Sequence, residues 1–348
     1  MNEAAAFFSI WTQDSPYWLV VEGASDLPSM QPVHHKSNLR AVKTAADWRG
    51  PWRELAGDIK RQHPGGLGHR GAVIAGDALP GLQEIELSLR EFRDIEAIAT
   101  NLWLVDDVNH GRLGCYMQRV LDRRDKIVGY EAFARMEGAD GGVIGGGAIM
   151  QAATALRMEF QLDRLLHKQA IESFVEGDLD GYIFINFLTG FIHRPEVYLD
   201  GLSQAVSRFG MRAGSIVLDV PIGDYAHDLK KLKSIAEYCR ARGFALALDD
   251  VHTADHLSGL LEQVRPAFVK LDGKASVKLT DPKRLGTLQE IVRLSHGCGA
   301  SVLAEGVENK PVHDAYLSAG VDMFQGYHFG APERFPKLAE LAARAHSS

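Results

Sequence analysis

Cysteine is scarce in this chain: Cys115, Cys239 and Cys298 are the only three in 348 residues. They lie too far apart for a CxxC metal or redox motif and are too few for a disulfide framework, so a reducing, cytoplasmic setting is expected. No apolar run approaches the roughly 18 residues of a membrane-spanning helix. The N-terminus has no basic stretch ahead of an apolar core, so neither an anchor nor a signal peptide is expected. Positive charge is not in excess either: the net charge is −7 and the pI about 6.1. That balance excludes a DNA or RNA surface built on bulk positive charge. Histidine is plentiful, at 14 residues, yet His34-His35, His63, His69 and His296 form no HExxH or other tight zinc pair. There is no internal repeat and no low-complexity segment.

What is present is an ordinary globular composition, 46% hydrophobic and 24% charged, long enough for one large domain and a smaller one. Residues 1–105 read as an N-terminal region, small α/β or mostly helical, and residues 106–348 as the main domain. In the first region Ser15 to Glu22 reads as a strand. Ala45 to Gln62 reads as a helix interrupted near Gly50-Pro51, and His63 to Gly66 as a loop. Leu82 to Leu104 places Ile85, Leu89, Phe92, Ile95 and Leu102 at helical spacing, the pattern of a connecting helix.

From about Gly111 strand and helix signals alternate. Strands are expected at Gly114–Leu121, Ile127–Phe133, Tyr182–Phe187, Ser215–Val220, Phe244–Leu248, Ala267–Leu271, Ser301–Ala304 and Met323–Phe329. Helices such as Arg164–Glu176 and Asp228–Arg242 fall between them. That rhythm matches an α/β fold of the (β/α)8 TIM-like barrel type. A doubly wound open sheet is the alternative, but no Gly-rich phosphate fingerprint follows the first strand.

Polar residues collect at or just past the strand ends: Glu131, Asn186, Asp219, Asp249 with Asp250, Lys270 with Asp272, Glu305 with Glu308, and Gln325. In a barrel those ends share one rim, so residues far apart in sequence would form one acidic cluster around a single lysine. Carboxylates and an amide oxygen suit Mg²⁺ or Mn²⁺ and not zinc. With Asp249 shared, two ions are a possible arrangement, one that serves displacement at phosphorus. The bland alternative is a set of surface acids on loops; repetition on strand after strand argues against it.

The segments GYEAFAR (129–135), IFINF (183–187), IVLDV (216–220), LALDD (246–250), FVKLD (268–272), VLAEGVEN (302–309) and FQGYHFGAP (324–332) resemble, in order, the signature segments of the EAL-domain family. That family hydrolyses the bacterial second messenger cyclic di-GMP to linear pGpG. The resemblance implies that Glu131, Asn186, Asp249 and Asp250 ligate metal, with Asp219 where the family has glutamate. It assigns Glu305 to metal or its water, and Lys270 to the attacking water. Gln325, Arg135 and Phe133 would contact ligand, with Asp272 and Glu308 in support, and family members commonly pair as homodimers.

Departures from the family pattern carry their own expectations. Phe133 replaces a leucine, and Met117-Gln118 replaces Gln-Pro. Asp219 has about 1.5 Å less reach than glutamate. The loop Asp249-Asp250-Val251-His252-Thr253-Ala254 has lost both family glycines, so strain or a new conformation is expected at His252 and Ala254. Ile222 stands where a glutamate braces that loop. Slow phosphodiesterase activity is therefore the first reading. A catalytically inactive cyclic di-GMP receptor or protein-interaction module is the alternative.

Overall fold

The computed structural model describes residues 17–22, 31–33, 36–44, 52, 70–75, 90–138, 141–187, 195–225, 228–273 and 281–334. The helix expected at 45–62 lies outside them apart from the buried Trp52, as do the loop at 63–66 and residues 82–89. The chain forms two compact units, Met1–Leu113 with Met136–Glu159, and Gly114–Arg135 with Phe160–Ser348.

In the first unit, β1 (Tyr17–Glu22), β2 (Gln31–Val33), β3 (Lys36–Thr44), β4 (Arg70–Ala75) and β5 (Arg90–Glu91) form a sheet in the order β2-β3-β1-β4-β5. The pairings are antiparallel, with Tyr17 opposite both Thr44 and Ala75. The aromatic and β-branched run of β1 suits this central position. Within the described part of the stretch expected to be helical, 90–104, the helices are α1 (Phe92–Asn101) and α2, which begins at Trp103 and runs to Asn109. Arg90 and Glu91 instead pair with Gly71 and Arg70. A strand partner at the end of a sheet outweighs helical spacing over two residues.

The remaining elements follow in chain order. They are β6 (Leu113–Asp122), β7 (Ile127–Glu137), β8 (Val143–Gly145), α3 (Gly146–Leu156), α4 (Glu159–Glu176), β9 (Tyr182–Asn186) and α5 (Pro195–Arg208). Then come β10 (Ile216–Pro221), α6 (Leu229–Ala241), β11 (Ala245–Val251), α7 (Leu257–Val264), β12 (Phe268–Leu271), α8 (Pro282–Gly297), β13 (Ser301–Ala304), α9 (Lys310–Ala319), β14 (Met323–Phe324) and β15 (Glu333–Arg334). Their sheet runs β15-β6-β14-β13-β12-β11-β10-β9-β7-β8, and an added β6–β7 pairing closes it into a ring. With β15 and β8 as appendages, eight strands make a closed barrel. From β7 to β14 the pairings around the ring are parallel, whereas β6 runs antiparallel to β14. The last strand is shorter than the expected Met323–Phe329. Gly326, at φ +156°, passes so close to Val307 that a Cβ would lie 2.2 Å from its carbonyl oxygen, and this close approach takes the chain out of the sheet.

Alternation along the strands sorts the side chains into two cores. Outward residues such as Ile183, Leu218, Leu246, Val269 and Val302 pack with Ile171, Leu199, Ile235, Leu261 and Ile291 of the helices. Inward, Val120, Phe184, Val217, Ala247, Phe268, Leu303 and Met323 form a buried plug, one residue from each of seven strands. Phe184 meets Phe268 edge to face at 5.3 Å. Fully burying residues of this size contributes about 1.5–3 kcal/mol each.

Candidate functional site

Two residues beyond the plug, every strand changes chemistry. Phe184 gives way to Asn186, Val217 to Asp219, Ala247 to Asp249, Phe268 to Lys270, Leu303 to Glu305 and Met323 to Gln325. On β7, Gly129 precedes Glu131; a Cβ at Gly129 would lie 2.6 Å from the Tyr182 carbonyl oxygen. On the reversed strand β6 the order inverts, and Gln118 comes before Val120. A period of two places these residues on the same face as the plug, as a polar layer stacked directly on it.

Lys270 is fully buried at the centre of that layer. Its Nζ lies 2.7 Å from Asp219 Oδ2, 2.7 Å from Glu305 Oε1, 3.3 Å from Glu131 Oε1 and 3.5 Å from Asp249 Oδ2. Burial alone would lower the Lys270 ammonium, but Asp219, Glu131, Glu305 and Asp249 outweigh it and hold it well above its ordinary value. Burial pushes the acids the other way. Glu131 and Asp219 rise to about 7 and Glu305 to about 8, with Lys270 opposing each rise. Glu131 Oε2 and Asp219 Oδ1 are buried without a hydrogen-bond partner.

Four carboxylates around one ammonium leave an excess of negative charge away from water, and the donor atoms are all oxygen. By donor chemistry this set fits a hard divalent cation. Among the described residues, however, no three His, Cys, Asp or Glu side chains already converge as a cation site. The carboxylates converge on Lys270 instead.

The other expected residues are distributed around the cluster. Gln325 is buried, and its amide helps to hold down the Glu131 carboxyl. Asn186 sits opposite Asp219 in register and is exposed. Its carbonyl oxygen accepts a 2.9 Å hydrogen bond from Nε2 of the buried His167, which also lies 3.5 Å from Asp163. Phe133 and Arg135 follow Glu131 on the same face of β7, half-buried, with the guanidinium 5.5 Å from the Phe133 ring centre. Asp272 is half-buried and Glu308 is exposed.

Asp250 does not join the buried set. The β11–β12 register shifts between Leu248 and Val251, Asp250 adopts φ +60°, and its side chain is exposed. Asp249 Oδ1 accepts from the Asp250 N–H at 2.8 Å, a local bond that supports the bulge. The left-handed conformations of this loop fall at Asp250 and His256, so of the two expected outcomes it is the new conformation that is found, with no positive φ at His252 or Ala254. Without glycine in the loop, the bulge and the start of α7 absorb the turn. Ile222 and Ala254 both pack against the outer apolar core, so the contact there is apolar where the family has a carboxylate.

The sequence reading names Gln118 only as a departure from the family pattern and gives it no place in the site, and it misses the Asp163–His167 pair and Tyr316, a buried residue of α9 whose hydroxyl has no hydrogen-bond partner. Gln118 was open to discovery through the inward period of β6; nothing in the sequence marks the others. The thiols of Cys115 and Cys239 are buried, and burial pushes them up to about 12, which disfavours the nucleophilic thiolate.

Residues 102–332 match the EAL domain family. An uncharacterized protein of Mycobacterium tuberculosis is 26% identical over 255 residues, covering 72% of this chain and 38% of that protein. A probable cyclic di-GMP phosphodiesterase of Escherichia coli, PdeG, is 26% identical over 241 residues, 67% of this chain and 47% of its own length. The chain therefore spans about half or less of these curated relatives. Among solved structures, the Bacillus subtilis YkuI protein, in complex with cyclic di-GMP and calcium, superposes with a TM-score of 0.59 at 22% identity over 70% of this chain and 62% of that one. A match over this much of the chain, carrying the barrel and its polar layer, makes this protein a member of the EAL domain family.

Proposed function

We propose that this chain hydrolyses cyclic di-GMP to linear pGpG with the aid of Mg²⁺ or Mn²⁺. The observation that carries the reading is the buried layer in which Glu131, Asp219, Asp249 and Glu305 surround Lys270 with unpartnered carboxylate oxygens. A cluster with this much uncompensated charge disfavours folding unless a ligand uses it. Glu131, Asn186, Asp219, Asp249, Asp250 and Glu305 would hold the cation or cations, which supply charge neutralisation and a more acidic bound water.

The chain's own groups do the rest. Water adds to one phosphorus, the P–O bond to the departing ribose oxygen breaks, that oxygen takes up a proton to become a hydroxyl, and the other phosphodiester stays intact. The water's proton needs an acceptor, and in this reading Glu305 or Asp249 takes it. Lys270 keeps its protons and steadies the anionic layer while charge builds on the phosphoryl oxygens. Arg135 offers a guanidinium fork to a phosphate, and Phe133 an apolar face beside it. In this reading the N-terminal residues, 1–105, regulate the barrel domain, 106–348, and a homodimer is the expected state in solution.

A second reading, a receptor that binds cyclic di-GMP without turnover, draws on the bulge that turns Asp250 to solvent and on the apolar contact at Ile222. Incubation of the purified protein with cyclic di-GMP and Mn²⁺ or Mg²⁺, with chromatographic separation of the product, decides between the two. Linear product that is absent with Glu131→Ala supports the enzyme. Saturable binding with no product over hours sinks the enzyme and leaves the receptor.

A further inference from the structure

Gln118 is 7% exposed and Gln325 2%. Gln118 Nε2 donates to the Gly330 carbonyl oxygen at 2.8 Å, and Gln118 Oε1 accepts from Gln325 Nε2 at 3.2 Å. Gln325 Nε2 also faces Glu131, whereas Gln325 Oε1 is buried with no partner. The two ends of a glutamine amide have the same shape, so only hydrogen bonding decides which way each one points. Here the decision propagates. The Gly330 carbonyl can only accept, so it fixes the nitrogen end of Gln118; the oxygen end of Gln118, together with the Glu131 carboxylate, then fixes the nitrogen end of Gln325. What remains is one desolvated acceptor, Gln325 Oε1, beside the acidic layer.

We propose that Gln118 is a positioning residue of this site: it sets the Gln325 amide so that its oxygen, and not its nitrogen, is left to accept a hydrogen bond from the bound nucleotide. A proline, the family's residue at this position, has no side-chain amide with which to do this. The inference rests on the reading that this rim binds cyclic di-GMP. It adds that recognition at Gln325 requires a donor, such as a guanine N–H or a ribose hydroxyl. A buried acceptor left without such a donor would oppose binding.

The test is a double-mutant cycle read by calorimetric titration with cyclic di-GMP, with the final solution assayed for linear product so that turnover does not distort the isotherm. Gln118→Met, which keeps the shape and removes both hydrogen bonds, is expected to weaken Kd about tenfold. In a Gln325→Met background the same substitution is expected to change Kd less than twofold, because its effect acts through Gln325. Equal weakening in both backgrounds, or none in either, overturns the proposal while leaving nucleotide binding intact. No binding by the unsubstituted protein overturns the binding reading and this inference with it. Should Gln118→Met not fold, hydrogen exchange of the Gln325 carboxamide in the unsubstituted protein serves instead. Slow exchange of one carboxamide proton relative to free glutamine is expected, and rapid exchange of both overturns the proposal.

Discussion

Replacing Lys270 with methionine keeps most of the side-chain volume and removes the charge at the centre of the polar layer. Each of the two 2.7 Å contacts, to Asp219 and Glu305, is worth about 6 kcal/mol of Coulomb attraction at an effective dielectric of about 20, before desolvation of the ions is subtracted. Desolvation consumes several kcal/mol per ion, so the measurable loss is closer to the ~3–5 kcal/mol found when one partner of a buried ionic cluster is deleted. For a domain of this size that corresponds to a drop in melting temperature of roughly 6–20 °C. The assay is thermal unfolding followed by circular dichroism in chelator at pH 7.5, repeated with millimolar Mn²⁺ and at pH 5. Acid should narrow the gap, because protonated carboxyls no longer need a cation. Mn²⁺ should narrow it as well, because a divalent ion replaces the missing charge. A variant as stable as the unsubstituted protein in chelator at pH 7.5 would refute the idea that Lys270 compensates four buried carboxylates.

The same cluster fixes the sign of a pH effect. Glu131 and Asp219 rise from 4.5 and 3.8 in the unfolded chain to about 7 in the fold. The metal-free folded state therefore binds more protons between about pH 4 and 7, and these groups withdraw stability as pH rises through that window, on the order of 3 kcal/mol for Glu131 and 4 kcal/mol for Asp219. Urea titrations across the window should show less decline for Glu131→Gln; an unchanged slope contradicts the assignment. Gly326→Ala should destabilise by about 1–3 kcal/mol and weaken nucleotide binding, since the added Cβ would sit 2.2 Å from the Val307 carbonyl oxygen. Equal melting points for the two proteins would count against this. His256→Gly should stabilise by up to about 1 kcal/mol by relieving φ +57° at the N-terminus of α7, whereas His252→Gly should not stabilise. The two melting curves decide it.

Most of the barrel is legible because most strands announce themselves twice: by a short apolar run, and by the charged or amide residue that ends it. Leu246-Ala247-Leu248-Asp249 is the plainest case, and the plug residue and the site residue are read from the same alternation. Gln118 shows where that reading fails. It assumes that chemistry lies past the C-terminal end of a strand, and β6 runs the other way, so its rim residue comes before its plug residue. Arg90 and Glu91 were hidden for a different reason, since their strand character comes from β4 and not from their neighbours in sequence. The loop after Asp249 was correctly flagged as changed, but the positions of its left-handed residues depend on a bulge set by pairing with β12. The hydrogen-bond partners of Asn186 and Gln325 required the packed structure.

The stacking of a charged layer on an apolar plug also has a kinetic consequence. Glu131, Asp219 and Asp249 precede Lys270 in the chain, so their counter-ion emerges after them during synthesis, on a later strand of the ring. Until β12 is seated, closing the ring would force bare acids together. The ion cluster is therefore expected to form after the main folding barrier has been crossed. A divalent ion bound there should then lengthen the lifetime of the folded barrel by slowing its opening, with little effect on how fast it forms.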